Sequence, residues 1–198
     1  GLQATRIVEV GDSTKPTLEL NGYATETLEV FSRFIDLGAV VKDNYWDIDD
    51  IDYEVAGSFY RNFKNGIASV LGTYTVVYSA TDGSDNADSI VRVIEVVDTE
   101  APVIVIDNIL RICRWEEVNL LDGVTLQDNY YDATEITVSI DASDLDIHHD
   151  GFYQVKYSAE DGSGNKSKPE VRMVIVEHCN VGVVNPVDDG ITIYPNPT

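Results

Sequence analysis

Two stretches of the chain alternate apolar and polar residues with a period of two. In 72–80, Tyr74, Val76, Tyr78 and Ala80 are separated by Thr73, Thr75, Val77 and Ser79. In 151–159, Tyr153, Val155, Tyr157 and Ala159 alternate with Phe152, Gln154, Lys156 and Ser158. Successive strand side chains point to opposite faces, so this period predicts strands with one buried face and one wet face. The first set stays apolar in both stretches while the second drifts to Gln and Lys, which marks the first as the core side. Further β-branched runs predict strands over 17–20, 27–31, 90–97, 103–106, 135–140 and 171–176. Turn chemistry separates them at Asn65-Gly66, Asp82-Gly83, Asp122-Gly123 and Asp161-Gly162. No stretch carries the 3.6-residue period of an amphipathic helix.

The pattern repeats. Asp43-Asn44-Tyr45 returns as Asp128-Asn129-Tyr130, and the segment from Gly72 to Asn86 returns as Gly151 to Asn165. Val91-Arg92-Val93 corresponds to Val171-Arg172-Met173, and Asp12-Ser13-Thr14-Lys15-Pro16 to Asp98-Thr99-Glu100-Ala101-Pro102. A spacing of about 80–86 residues is too long for a solenoid unit and suits a small β-sandwich. Residues 12–98 and 99–178 are the two copies, preceded by 1–11 and followed by 179–198. Arg6–Val10 reads either as the last strand of an upstream copy or as a linker.

Charge narrows the function. The chain has 198 residues, 35 acidic against 13 basic, for a net charge of −22. Each copy holds 16 acidic and 6 basic residues, so the acid covers both modules rather than one tail. Such a field repels phosphate backbones and anionic lipid, which argues against nucleic-acid and membrane-surface binding and for a monomer. No apolar run approaches the ~20 residues of a spanning helix. The sequence opens at Gly1 without a charged-then-apolar leader, so the expectation is that any export signal has been removed or was never included. Cys113 and Cys179, with no CxxC, exclude a zinc ribbon and allow one disulfide or two free thiols.

These residues resemble the bacterial surface immunoglobulin-like modules related to hyalin-repeat domains. The shared frame runs from a Pro-initiated strand through a DN turn to G-x-Y-x-V-x-Y-x-A-x-D-x-x-G-N and a final apolar strand. The second copy matches through Pro102, Asp128-Asn129 and Gly151 to Asn165, while the first has Asp85 where the frame has Gly. The resemblance implies two tandem Ig-like antiparallel β-sandwich domains, an all-β fold, over about 12–178. Ile191-Thr192-Ile193-Tyr194-Pro195-Asn196-Pro197-Thr198 resembles the opening of the type IX secretion sorting domain of Bacteroidota surface proteins. That implies an exported protein, secreted or held at the outer cell surface.

Export favours a Cys113–Cys179 disulfide, with Cys113 expected at the end of the first strand of copy two and Cys179 past its last strand. In an Ig-like domain the loops after the second and sixth strands share the pole by which the chain enters. For copy two that pole gathers Asp98, Glu100, Asp128, Asn129, Asp132 and Asp161, hard oxygens of the kind Ca²⁺ takes in sets of 6–8. The other reading is that these residues cap turns through their side chains. Asp47-Ile48-Asp49-Asp50-Ile51-Asp52 alternates acids but lacks the Gly and terminal Glu of an EF-hand loop. Tyr45, Trp46, Tyr130 and Tyr131 fall on the same loops and either stack on sugars and anchor a partner or close the core. The segment 57–66 is peculiar to copy one; Phe59, Tyr60 and Arg61 make it the expected specialised contact.

Catalytic signals are weak. Gly162-Ser163-Gly164 lacks the third Gly of a dinucleotide loop, no G-x-S-x-G occurs, and His148, His149 and His178 do not form H-E-x-x-H. The expectation is a non-catalytic surface module, a spacer or adhesion domain binding an extracellular protein or glycan. Its alternatives are an accessory glycan-binding module of a secreted polysaccharide-degrading enzyme and a plain stalk.

Overall fold

A computed structural model describes residues 3–179. The chain divides into two compact units between Glu100 and Ala101. Unit 1 contains β1 (Thr17–Leu20), β2 (Thr25–Glu29), β3 (Ala39–Lys42), β4 (Asp52–Ala56), β5 (Gly72–Thr81) and β6 (Ala87–Val97). Unit 2 contains β7 (Val103–Ile106), β8 (Ile109–Cys113), β9 (Val124–Gln127), β10 (Thr137–Asp141), β11 (Gly151–Glu160) and β12 (Glu170–Glu177).

Both units have one topology. A two-stranded sheet (β1-β3, or β7-β9) accompanies a four-stranded sheet ordered β2-β6-β5-β4, or β8-β12-β11-β10. Every pairing is antiparallel except β2 with β6 and β8 with β12. Those two parallel pairs share one cause. The opening strand of each unit breaks after four residues, and its second half crosses to the other sheet, a usual way to turn a sandwich corner. In unit 2 the break falls at Asp107-Asn108, between β7 and β8. Each Ig-like β-sandwich thus grows from the alternation in its sequence. Val76, Tyr78, Ala80, Val155 and Tyr157 are fully buried, the side chains larger than Ala80 contributing roughly 1.5–3 kcal/mol each.

The Val-Arg repeat has a structural reason. Arg92 is completely buried and Arg172 is 3% exposed. Arg92 pairs with Glu26 at 3.0 Å and Asp36 at 3.5 Å, and donates to the carbonyls of Asn21 (2.7 Å) and Gly38 (3.2 Å). Arg172 donates to the carbonyl of Asp122 at 2.8 Å. Each guanidinium ties loops of its own unit to its last strand, and removing a carboxylate from the buried Arg92 costs about 3–5 kcal/mol.

Cys113 and Cys179 form a disulfide with a Cα–Cα separation of 5.3 Å. The parallel register sets Cys113 beside Glu177, two residues short of Cys179. Cys113 ends β8 rather than the opening strand β7, because the expected single strand is two pieces on different sheets. The unanticipated strands β3, β4, β8 and β9 are only four or five residues long, and all of β4 is solvent-exposed, so no alternation betrays it. A four-residue helix, α1 (Phe59–Asn62), and a 3-10 turn (Ile48–Asp50) also interrupt unit 1. The acidic run 47–52 is divided between that turn and β4. Arg6–Val10 carries no strand, and the sorting-domain match at 191–198 lies outside the described residues.

Candidate functional site

Three loops of unit 1 converge at one end of its sandwich. Asp12 precedes β1, Asp43 follows β3 and Asp82 follows β5. Each carboxylate first organises its own loop. Asp12 Oδ1 accepts from Thr14 N–H at 3.0 Å, and Asp43 Oδ1 from the N–H groups of Tyr45 (2.8 Å) and Trp46 (2.9 Å). Asp82 Oδ1 accepts from the N–H groups of Ser84 (2.8 Å) and Asn86 (2.9 Å), and its Oδ2 from Asn86 Nδ2 (2.8 Å). These are side-chain-capped turns, formed because Asp offers its own backbone an acceptor two to four residues on.

Capping leaves oxygens over. The three residues offer carboxylate oxygens that all lie within 4.8 Å of one another. Oδ2 of Asp12 and Oδ2 of Asp43 are shut off from solvent without a hydrogen-bond partner. Buried acceptors are normally satisfied, and like charges this close disfavour joint ionisation. Burial alone would raise the Asp82 carboxyl, yet the hydrogen bonds from Asn86 and Ser84 outweigh it and hold the group below the ordinary carboxylate range. Hard, anionic oxygens gathered this way suit a divalent cation with oxygen preference. Turn capping and convergence are therefore work of the same residues, not alternatives.

The adjoining aromatics split in role. Trp46 lies over Gly83, where an added Cβ would fall 2.6 Å from the indole. Tyr45 stands edge-on to Trp46 at 5.3 Å and is 69% exposed. A cleft of about 360 Å³ beside the carboxylates is lined by Val10, Asp12, Asn44, Tyr45, Trp46 and Ser84.

Unit 2 repeats the loops. Asp128 Oδ1 accepts from Tyr130 and Tyr131 N–H, both at 2.9 Å, and its Oδ2 is buried without a hydrogen-bond partner. Asp161 accepts from Ser163 N–H, Asn165 N–H and Asn165 Nδ2, all at 2.9 Å. Oxygens of Asp128 and Asp161 approach within 4.8 Å. Tyr131 covers Gly162 as Trp46 covers Gly83, with a Cβ there falling 2.5 Å from the ring, and its hydroxyl meets Ser163 Oγ at 3.1 Å. Tyr130 packs edge-on against Tyr131 at 5.0 Å. In the repeat, Asp98 takes the position of Asp12; it is buried at the end of β6 and accepts from Glu100 N–H at 3.2 Å. Glu100 and Asp132 are exposed, and Asn129 is half-buried beside Asp128.

One expected contact needs correction. Phe59 is 7% exposed and packs against Phe34 (5.3 Å) and Phe63 (4.4 Å), so it is core rather than contact surface. Trp46 and Tyr131 serve their turn glycines, which explains why Asp-Gly recurs at both places. Tyr60 is 53% exposed with its hydroxyl donated to Asp36 at 3.1 Å, and Arg61 is exposed. Asp12, Asp43 and Asp82 are legible only through the repeat, as counterparts of Asp98, Asp128 and Asp161. Asp85, standing where the second copy has Gly164, adopts φ 65°, against 87° for Gly164. The turn requires the left-handed region, and Asp bears it with strain.

No family model matches the sequence. An uncharacterized 81.3 kDa protein of Acholeplasma phage L2 is 27% identical over 125 residues, which are 61% of this chain and 17% of that protein. The chain thus spans about a sixth of the length of this curated relative. Among solved structures, Drosophila N-cadherin EC1-4 is similar at a TM-score of 0.39 and 15% identity, over 84% of this chain and 50% of that one. Human mucin-like protocadherin EC1-2 gives 0.37 and 10%, over 83% and 98%. The fibronectin(III)-like modules of Clostridium thermocellum CbhA give 0.31 and 13%, over 84% and 96%. Among the described residues no helix is long and apolar enough to cross a membrane.

Proposed function

We propose that the chain is a non-catalytic extracellular module, a spacer with binding capacity, whose loop ends are fixed by calcium. The observation that carries this reading is the set of Asp12, Asp43 and Asp82, with two buried carboxylate oxygens lacking hydrogen-bond partners. A cation there would neutralise charge that the fold otherwise confines. Asp128 and Asp161 are the corresponding pair within unit 2. Extracellular calcium sites work at Kd values of about 10⁻⁴–10⁻³ M, compatible with a loop-built site partly open to water. The disulfide fits an oxidising compartment outside the cytoplasm. Fixing the loops would give the module a defined shape for presenting a partner-binding surface.

Terbium luminescence tests it, because Trp46 directly follows the Asp43 loop and can sensitise a lanthanide bound there. Excitation of tryptophan is expected to yield terbium emission that calcium displaces and that Asp43→Ala with Asp82→Ala abolishes for unit 1. Emission undiminished by the double substitution, or none at all, contradicts the assignment.

A further inference from the structure

Unit 1 carries a second, chemically opposite surface. Segment 31–37 is stitched to segment 58–70 by Phe31 N–H to Ala68 carbonyl (3.0 Å), Phe34 N–H to Gly66 carbonyl (2.8 Å) and an Arg33–Ile67 bridge. Lys64 and Ile67 close a tight hairpin turn, with Asn65 at φ 52° and Gly66 at φ 79°, the geometry that an Asn-Gly pair favours. Phe34, Phe59 and Phe63 sit beneath as a buried aromatic anchor. Unit 2 has no such addition: β10 and β11 are joined by residues 142–150 alone, whereas 57–71 join β4 and β5.

Above the anchor the surface is apolar. Ile35, Tyr60 and Ile67 are 68%, 53% and 37% exposed. Between the segments lies a cleft of about 350 Å³, its walls including Arg33, Ile35, Tyr60 and Phe63.

The charge is inverted as well. Segments 31–37 and 58–70 contain Arg33, Arg61 and Lys64 but one acid, Asp36, in a chain of net charge −22. Asp36 is already engaged by Arg92, Tyr60 and Tyr78. Arg33, Arg61 and Lys64 are exposed and form no ion pair with a carboxylate among the described residues. Exposed apolar side chains and unpaired cations carried by the same two segments suit a protein-binding patch. Aliphatic side chains and tilted rings, rather than a flat aromatic platform, favour a polypeptide over a sugar.

We infer that this face of unit 1 is a docking surface for a protein segment that is apolar at its centre and acidic at its edges. Carboxylates of the partner pair with Arg33, Arg61 and Lys64 while its apolar side chains cover Ile35 and Ile67 and enter the cleft. The surrounding negative field turns away acidic proteins lacking the apolar match, so charge sets selectivity here. This inference is independent of calcium.

The test is a selection of displayed random dodecapeptides on the whole chain, with enriched peptides synthesised and titrated by NMR. Enriched sequences are expected to combine Asp or Glu with Leu, Ile or Phe, and to shift signals in 31–37 and 58–70. Affinity should fall at least 10-fold with Arg33→Glu, Arg61→Glu and Lys64→Glu combined, and also with Ile35→Asp, both exposed changes. Absence of enrichment, enrichment of basic peptides, or unchanged binding to either variant overturns the proposal. Shifts at these residues induced by oligogalacturonate without peptide binding would replace it with a glycan site. A concentration-dependent dimer abolished by the same variants would replace it with self-association.

Discussion

Asp43→Asn should stabilise unit 1 when calcium is absent. The substitution retains Oδ1, which caps the N–H groups of Tyr45 and Trp46, and exchanges the buried, unpaired Oδ2 for an amide nitrogen. It deletes two of the three repulsive pairs in the carboxylate set. At a separation of 4.8 Å, each pair costs about 0.9 kcal/mol at the dielectric of water and about 3.5 kcal/mol at an effective dielectric of 20. Taking the water-like limit, because the loops border solvent, the relief is about 2 kcal/mol. The new amide can donate to a neighbouring carboxylate, so little is forfeited in exchange. For a unit of this size that gain raises the midpoint of thermal unfolding by roughly 8 °C or more. Differential scanning calorimetry in chelator at low salt reads it, with Asp43→Ala as the control that removes the cap too. A lowered midpoint for Asp43→Asn in chelator would refute the reasoning, since it would mean that the three carboxylates do not repel one another.

Other consequences concern stability. Replacing Cys113 and Cys179 by Ser should destabilise unit 2 by about 4 kcal/mol, given a sequence separation of 66 residues; two resolved calorimetric transitions would show unit 1 unaffected. Asp85→Gly should stabilise unit 1 by about 1 kcal/mol in urea unfolding, because it releases a side chain from the left-handed region. Burial first, and then the hydrogen bond to Asp36, push the Tyr78 phenol far above its ordinary pKa. A folded-state pKa raised in this way gives stability that is complete below the unfolded tyrosine value of about 10 and lost as pH climbs past it. Unit 1 should therefore weaken from about pH 10 upward, and Tyr78→Phe should flatten that slope; a slope unchanged by the substitution would contradict the assignment.

The long strands announced themselves because burial on one face imposes a period of two over ten residues, as in β5 and β11. Short strands could not. In β4 every residue is exposed, and its place is fixed by pairing with β5 rather than by its own pattern. The broken opening strand was hidden for another reason: Val103–Ile106 and Ile109–Cys113 look alike in sequence, and only the sheets they join distinguish them.

Of the candidate site, the carboxylates at the loop ends were legible from the repeat, while the division of labour within them was not. That one oxygen of Asp43 caps a turn and the other stays unpaired depends on three segments brought together by folding. Phe59 misled for a similar reason. An aromatic in a loop insertion reads as exposed until the insertion is seen to carry its own small core with Phe34 and Phe63.

The account rests most heavily on divalent-cation binding by the clustered aspartates. Calorimetric titration of chelator-treated chain with calcium, with unfolding followed in parallel, addresses it directly. The account predicts saturable binding with Kd in the range of about 10⁻⁴–10⁻³ M, and unfolding midpoints that rise with free calcium. It also predicts that Asp12→Ala, Asp43→Ala or Asp82→Ala removes the unit 1 component alone. A flat titration through 10⁻² M calcium, with unfolding indifferent to the ion, would contradict it.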